Sequence, residues 1–164
     1  MNTIILKNGI IAGCIISLFM AAVTMYIKEH PELQPSVTVG FLGMFLGFTF
    51  VIIGIMQVKV INNGVISFGK AFLTGFLISL IASILYVVVW FYIYYNHFPN
   101  FIEQYSAMMI SHAKPEDLAK VTEEMNQYKE YYESPVMIVL LTLMEILPLG
   151  IAVTLIGSFF LKKN

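Results

Sequence analysis

Four long stretches of this chain carry almost no polar side chains, and short polar segments separate them. Each is about twenty residues or longer, the length that a helix needs to cross a hydrocarbon core of roughly 30 Å. The pattern predicts transmembrane helices over residues 8–27, 37–58, 71–95 and 136–161. We therefore expect an all-α polytopic membrane protein, a bundle of four spans forming one membrane domain over residues 1–164.

Turn-forming residues mark the limits of these stretches. Pro31 and Pro35 interrupt helix between the first two spans, and Asn62-Asn63-Gly64 predicts a turn after the second. Ser67 is suited to cap the third span, and Pro135 to open the fourth. Helix boundaries are therefore expected close to these residues.

The segment 96–134, between the third and fourth spans, is polar and acidic but keeps a helical pattern. Its apolar residues recur at spacings of three and four, which places them on one helix face: Leu118, Val121, Met125, Tyr128 and Tyr132. A second helical piece is expected between Pro99 and Pro115. Two interpretations stay open, an amphipathic helical cap over the outer ends of the bundle and a docking face for another membrane or envelope protein.

Composition excludes several classes of protein. The chain is 59% hydrophobic and 12% charged, so too few residues remain outside the spans to build a separate soluble enzyme domain. Cys14 is the only cysteine, which excludes a disulfide framework. All nine basic residues are lysines, which argues against nucleic acid as a partner.

Lysine placement predicts the orientation in the membrane. One side of a four-span bundle holds five lysines and no acid, and the other holds four lysines and nine carboxylates. Positively charged loops tend to stay in the cytoplasm. Both termini are therefore expected in the cytoplasm and segment 96–134 outside it. Aromatic residues near Trp90 and Tyr26 fit the outer headgroup region.

Small residues recur at helical spacing in every span. Close backbone approach through such residues drives helix association in a bilayer. The second span places Gly40, Gly43, Gly47 and Gly54 along one face. The residues predicted to mediate helix packing are Gly9, Gly13, Gly43, Gly47, Gly75 and Gly150.

Glu145 is the one formally charged residue in the middle of a span. It lies nine residues past Val136, about 14 Å along the helix axis, near the midplane of the bilayer. A central acid costs roughly 2.5–3.5 kcal/mol on insertion scales, so its presence requires a reason. Pro148 cannot donate a hydrogen bond to the carbonyl of Met144, which leaves an acceptor beside the carboxyl.

Two roles for Glu145 stay open at this point. A proton or small cation could bind among the carboxyl and nearby hydroxyls. Alternatively, a neutral glutamic acid could hydrogen-bond across the bundle and fix helix register. The candidate site consists of Glu145 and Pro148 with the hydroxyls of Thr142, Ser17, Thr49, Ser79 and Ser83.

No catalytic, cofactor or metal motif accompanies this acid. His30, His97 and His112 show no spacing that would bring ligands onto one helix face, so no metal site is expected. Nucleophile elbows, phosphate-binding glycine loops and paired catalytic carboxylates are also missing from the sequence. We expect a protein that is not an enzyme and needs no cofactor.

The stretch from Gly64 to Phe72, GVISFGKAF, followed by Gly75, resembles a segment shared by a family of small four-span membrane proteins known only as a domain of unknown function. The Tyr131 to Pro135 entry and the lysine-ended last span are similar too. The resemblance implies a bacterial inner membrane protein. It implies no catalytic residues.

Taken together, the sequence favours a non-enzymatic accessory or scaffold subunit of a membrane complex. The alternative is a proton- or cation-coupled transporter or channel that uses Glu145. Besides the lipid bilayer, the expected partners are another membrane or envelope protein, contacted through residues 96–134, or further copies of the chain.

Overall fold

The computed structural model describes residues 1–30 and 37–163, with the backbone alone at Val37. Six helices account for most of this part of the chain, and it contains no β-strand. In chain order they are α1 (Asn2–Glu29), α2 (Val37–Ile61), α3 (Phe68–His97), α4 (Phe101–Ser111), α5 (Leu118–Tyr132) and α6 (Pro135–Leu161). The predicted all-α architecture is confirmed.

Four of these helices, α1, α2, α3 and α6, are long and apolar enough to cross a membrane. Their 25 to 30 residues correspond to roughly 37–45 Å of helix, more than the hydrocarbon core requires. Each helix extends the span predicted from the sequence by zero to six residues at either end. The predicted linker prolines, Pro31 and Pro35, lie outside the described residues.

The turn between α2 and α3 has the conformation that its sequence favours. Asn63 and Gly64 adopt positive φ angles of 57° and 81°, which asparagine and glycine tolerate best. Ser67 lies at the N-cap of α3, where its Oγ accepts a hydrogen bond from the Lys70 amide at 3.4 Å. An antiparallel bridge between Ile66 and Lys163 joins this turn to the end of α6.

The described chain divides into two compact units. Unit 1 comprises residues 1–30, 37–90 and 143–163, and unit 2 comprises residues 91–142. The core of unit 1 contains fully buried side chains from all four spans, among them Ile16 of α1, Phe48 of α2, Ile78 of α3 and Ile146 of α6. Unit 1 therefore contains the packed part of the membrane bundle.

Helices α1 and α2 pack through two glycines of α2. A Cβ atom added at Gly43 would collide with the ring of Phe19, and one at Gly47 would collide with Ile16 and lie 2.9 Å from the carbonyl oxygen of Ala12. The two backbones thus approach each other closely at these two glycines. Gly40, by contrast, has no atom within 4 Å of its added Cβ.

The remaining glycines of the predicted packing set also lie where helices of unit 1 meet. On α1, Gly9 faces Ile81 of α3 and Gly13 faces Leu85 of the same helix. Gly75 of α3 lies against Thr154 of α6, with 2.8 Å between the added Cβ and Cγ2 of Thr154. Gly150 of α6 lies against Ser79 of α3 and Phe48 of α2.

Unit 2 contains both short helices of the acidic segment. Helix α4 buries Ile102 and Ser106, and α5 buries Met125. Tyr132 at the end of α5 contacts the rings of Tyr94 and Phe101, with ring centroids 5.3 Å and 6.0 Å apart. The predicted apolar face of α5 is thus buried at its centre, whereas Leu118 and Tyr128 remain exposed.

Candidate functional site

Glu145 lies on the outward face of α6. Its side chain is exposed, as are those of Met144, at 72%, and Pro148. Ile146 and Gly150, which lie about 100° and 140° around the helix from Glu145, are buried. Within the described residues, Glu145 makes no hydrogen bond or ion pair. Helix α6 continues through Pro148, which cannot donate to the Met144 carbonyl, so that carbonyl also lacks its usual helical partner.

The hydroxyl groups of Ser79 and Ser83 lie inside unit 1 and are hydrogen-bonded there. Ser79 Oγ donates to the carbonyl oxygen of Gly150 at 3.2 Å and lies 3.2 Å from Oγ1 of Thr154. Ser83 Oγ donates to the carbonyl oxygen of Ser79 at 2.8 Å. This cluster joins α3 to α6, and its members satisfy one another rather than Glu145.

The other predicted site residues are scattered. Ser17 of α1 is buried, and its hydroxyl has no hydrogen-bond partner among the described residues. Thr49 is exposed and donates to the carbonyl of Phe45, one turn earlier in its own helix. Thr142 is buried and donates to the carbonyl of Ile138. The structure thus does not assemble Glu145 and the predicted hydroxyls into one site.

The sequence pattern does not predict the polar contact that joins α1 to α2. Asn8, only 2% exposed, donates through Nδ2 to the carbonyl oxygen of Ile4 and to Oε1 of Gln57, both at 2.8 Å. Asn8 and Gln57 are amide residues near the ends of the first two apolar stretches, and this polar character is the signal that the sequence offers. Their pairing was not foreseeable because it depends on the register between two helices.

A groove opens beside this pair, between the first turns of α1 and the last turns of α2. Its volume is about 600 Å³, and its polar side chains are those of Thr3, Lys7 and Gln57. Lys7 and Gln57 are exposed, whereas Asn8 behind them is buried. The groove is therefore amphipathic and open to the surroundings of the bundle.

The histidines do not converge with other potential metal ligands. No group of three or more His, Cys, Asp or Glu side chains suited to a metal ion occurs in residues 1–30 and 37–163. Nδ1 of His112 lies 2.9 Å from the carbonyl oxygen of Met108, which is a local contact at the C-terminal end of α4.

One protein family matches nearly all of the residues that form this bundle. A family described as "Protein of unknown function (DUF4199)" matches residues 7–163, which is nearly the whole chain. The chain belongs to DUF4199. Its membership confirms the resemblance seen in the sequence and agrees with the four candidate spans. A search of curated proteins and a search of solved structures returned no match. The DUF4199 chain is thus a multi-pass membrane protein of unknown activity.

Proposed function

We propose that this protein is a non-enzymatic accessory or scaffold subunit of a membrane complex, and that it contacts its partner through the face of α6 around Glu145. The exposed position of Glu145 in the middle of a span carries the proposal. A carboxyl group that faces lipid has no hydrogen-bond partner and is costly to keep there. A neighbouring protein that supplies a donor at the same depth would remove that cost.

The chemistry of this face defines the partner. The exposed side chains on this face of α6 are apolar, namely Met144 and Pro148 beside Glu145 and Ile156 about three turns further along the helix. The fitting partner is a transmembrane helix with an apolar surface and one lysine, arginine, amide or hydroxyl group near the midplane. Glycines such as Gly47 and Gly150 already contact other helices of the same chain, so they are not the surface offered to a partner.

Site-specific photo-cross-linking in native membranes tests the proposal. A photoreactive residue replaces Met144 on the proposed face, Ile84 on an exposed part of α3, or Ile146 in the core. We expect one discrete protein adduct from position 144 and none from the other two. The adduct is expected to disappear with Glu145→Leu and to persist, at a reduced yield, with Glu145→Gln.

Two results would overturn the proposal. In the first, the adducts from positions 144 and 84 contain lipid alone, which would show that the face of α6 around Glu145 contacts lipid in the same way as the exposed part of α3. The other is an adduct that contains only a second copy of the chain, which would show a homo-oligomer in place of an accessory subunit.

The alternative function is transport of a proton or cation at Glu145. The carbonyl of Met144, the residue before Glu145, favours this alternative, because it lacks its helical donor and carbonyl and carboxyl oxygens are both cation ligands. The hydrogen-bonded Ser79–Thr154 contact inside the bundle argues against it, since those groups are occupied. Proton flux into proteoliposomes that falls to the background level in the Glu145→Gln variant would support transport over the scaffold role.

We further propose a bacterial inner membrane location with both termini in the cytoplasm. The distribution of lysine supports this orientation, because five lysines and no acid lie on the side that contains the termini.

A further inference from the structure

The groove between α1 and α2 offers a positive charge and several hydrogen-bond donors at its polar end. Asn8 Nδ2 donates to Oε1 of Gln57, which occupies one lone pair of that oxygen and leaves the Gln57 amide N–H groups for another acceptor. Lys7 adds an ammonium group, and the Thr3 hydroxyl is a further donor. Among the described residues, no acidic side chain lines the groove. This set of groups suits an anion.

The rest of the groove is apolar. Ile53, Met56 and Val60 of α2 line it at helical spacing, and Met56 and Val60 are exposed. A soluble anion would gain nothing from these side chains. An acyl chain would cover them, because such surface is favourably removed from water or matched with hydrocarbon.

The depth of Lys7 agrees with a lipid headgroup. Lys7 lies five residues after the first residue of α1, which corresponds to roughly 7–8 Å along the helix axis. A flexible lysine at that depth extends its ammonium group towards the headgroup layer. In the sequence of α2, Lys59 lies between the groove residues Gln57 and Val60. No acidic residue occurs between Met1 and Lys28 or between Val37 and Phe101.

We infer that this groove binds an anionic phospholipid, with its phosphate at Lys7, Gln57 and Thr3 and one acyl chain along Ile53, Met56 and Val60. Basic pockets between membrane helices hold anionic headgroups in this manner. The inference goes beyond the proposed scaffold role and does not depend on Glu145.

Native mass spectrometry of the full chain, released from detergent after exchange into defined lipid, tests the inference. Phosphatidylglycerol and phosphatidylcholine with the same acyl chains are the two probes. We expect preferential retention of one phosphatidylglycerol. Lys7→Gln should reduce that retention about five-fold, since one lysine near a membrane surface is worth about 1 kcal/mol. Lys7→Arg should preserve it.

Two further variants separate the headgroup from the acyl chain. Met56→Trp fills the apolar part of the groove and should lower the retention of both lipids. Lys120→Gln, a charge-matched control in α5, should leave retention unchanged. The thermal midpoint of each variant, measured in the same detergent, verifies that it is folded.

Three outcomes would overturn the inference. Equal retention of the two lipids by the unmodified protein would exclude recognition of the anionic headgroup. Equal losses in the Lys7→Gln and Lys120→Gln variants would show a general charge effect. Displacement of phosphatidylglycerol by millimolar inorganic phosphate would identify a site for a soluble anion.

Discussion

Polar side chains inside the apolar helices differ in their contacts. Asn8 and Ser79 form hydrogen bonds to residues of a neighbouring helix, whereas Glu145 is exposed and makes none within the described residues. Where water is scarce, a polar group is stabilised mainly by another protein group. The hydrogen bonds of Asn8 and Ser79 therefore stabilise the bundle, whereas the carboxyl of Glu145 is available to a partner outside the bundle.

The Asn8–Gln57 contact is expected to stabilise the folded chain measurably. We predict a coupling energy of about 0.6 kcal/mol, and at most about 1.7 kcal/mol, from a double-mutant cycle of Asn8→Ala and Gln57→Ala. Equilibrium unfolding in mixed micelles measures each free energy of unfolding. The control cycle combines Asn8→Ala with Thr49→Ala, whose hydroxyl bonds only within α2, and should be additive. Additivity in the Asn8–Gln57 cycle would contradict the assignment of this contact as stabilising.

Glycine positions decide how closely two spans can approach. Gly43 and Gly47 face α1, and Gly75 and Gly150 lie between α3 and α6. These helices are apolar on all sides, so the hydrophobic effect does not choose which faces meet in a bilayer. Backbone proximity at the glycines supplies the dispersion contacts instead.

One pair of substitutions on α2 separates packing from helix propensity. Gly47→Ala places a methyl group against Ile16 and the Ala12 carbonyl, and we expect it to lower the free energy of unfolding by about 1–3 kcal/mol. Gly40→Ala meets open space and should be neutral or slightly stabilising, because alanine favours helix. Unfolding in mixed micelles compares the two. Equal effects would show that the contact at Gly47 does not limit the approach of α1.

Four candidate spans imply an even number of membrane crossings. In the proposed orientation, the N-terminus, the α2–α3 turn and the C-terminus lie on one side of the membrane, and the segment that contains α4 and α5 lies on the other. The lysine-rich groups belong to the first side and most carboxylates to the second.

This topology predicts which residues a reagent can reach in intact cells. In a Cys14→Ser background, Lys120→Cys in α5 should react with a membrane-impermeant maleimide, and Lys70→Cys in the first turn of α3 should not. After permeabilisation, both should react. Labelling of Lys70→Cys alone in intact cells would show that the protein has the opposite orientation. Labelling of both variants would show that the membrane does not separate the two positions.

The apolar spans, the Asn63–Gly64 turn and the N-cap at Ser67 follow from local sequence. A helix satisfies its backbone hydrogen bonds internally, so about twenty apolar residues suffice to predict a membrane span. Glycine and asparagine adopt positive φ angles for equally local reasons. Family membership could also be anticipated from the Gly64–Phe72 stretch, since it reflects the sequence directly.

The rotation and register of each helix were decided only in the tertiary structure. A helix that is apolar all round carries no strong signal for which side faces its neighbours. For this reason Glu145 could be expected beside Ser79 and Ser83. In the structure, however, the Glu145 side chain is exposed and the Ser79 hydroxyl is hydrogen-bonded to Thr154. Asn8 meets Gln57 across 49 residues of chain because glycines set the register between α1 and α2. Contacts of that range depend on how whole helices fit together, which local composition does not encode.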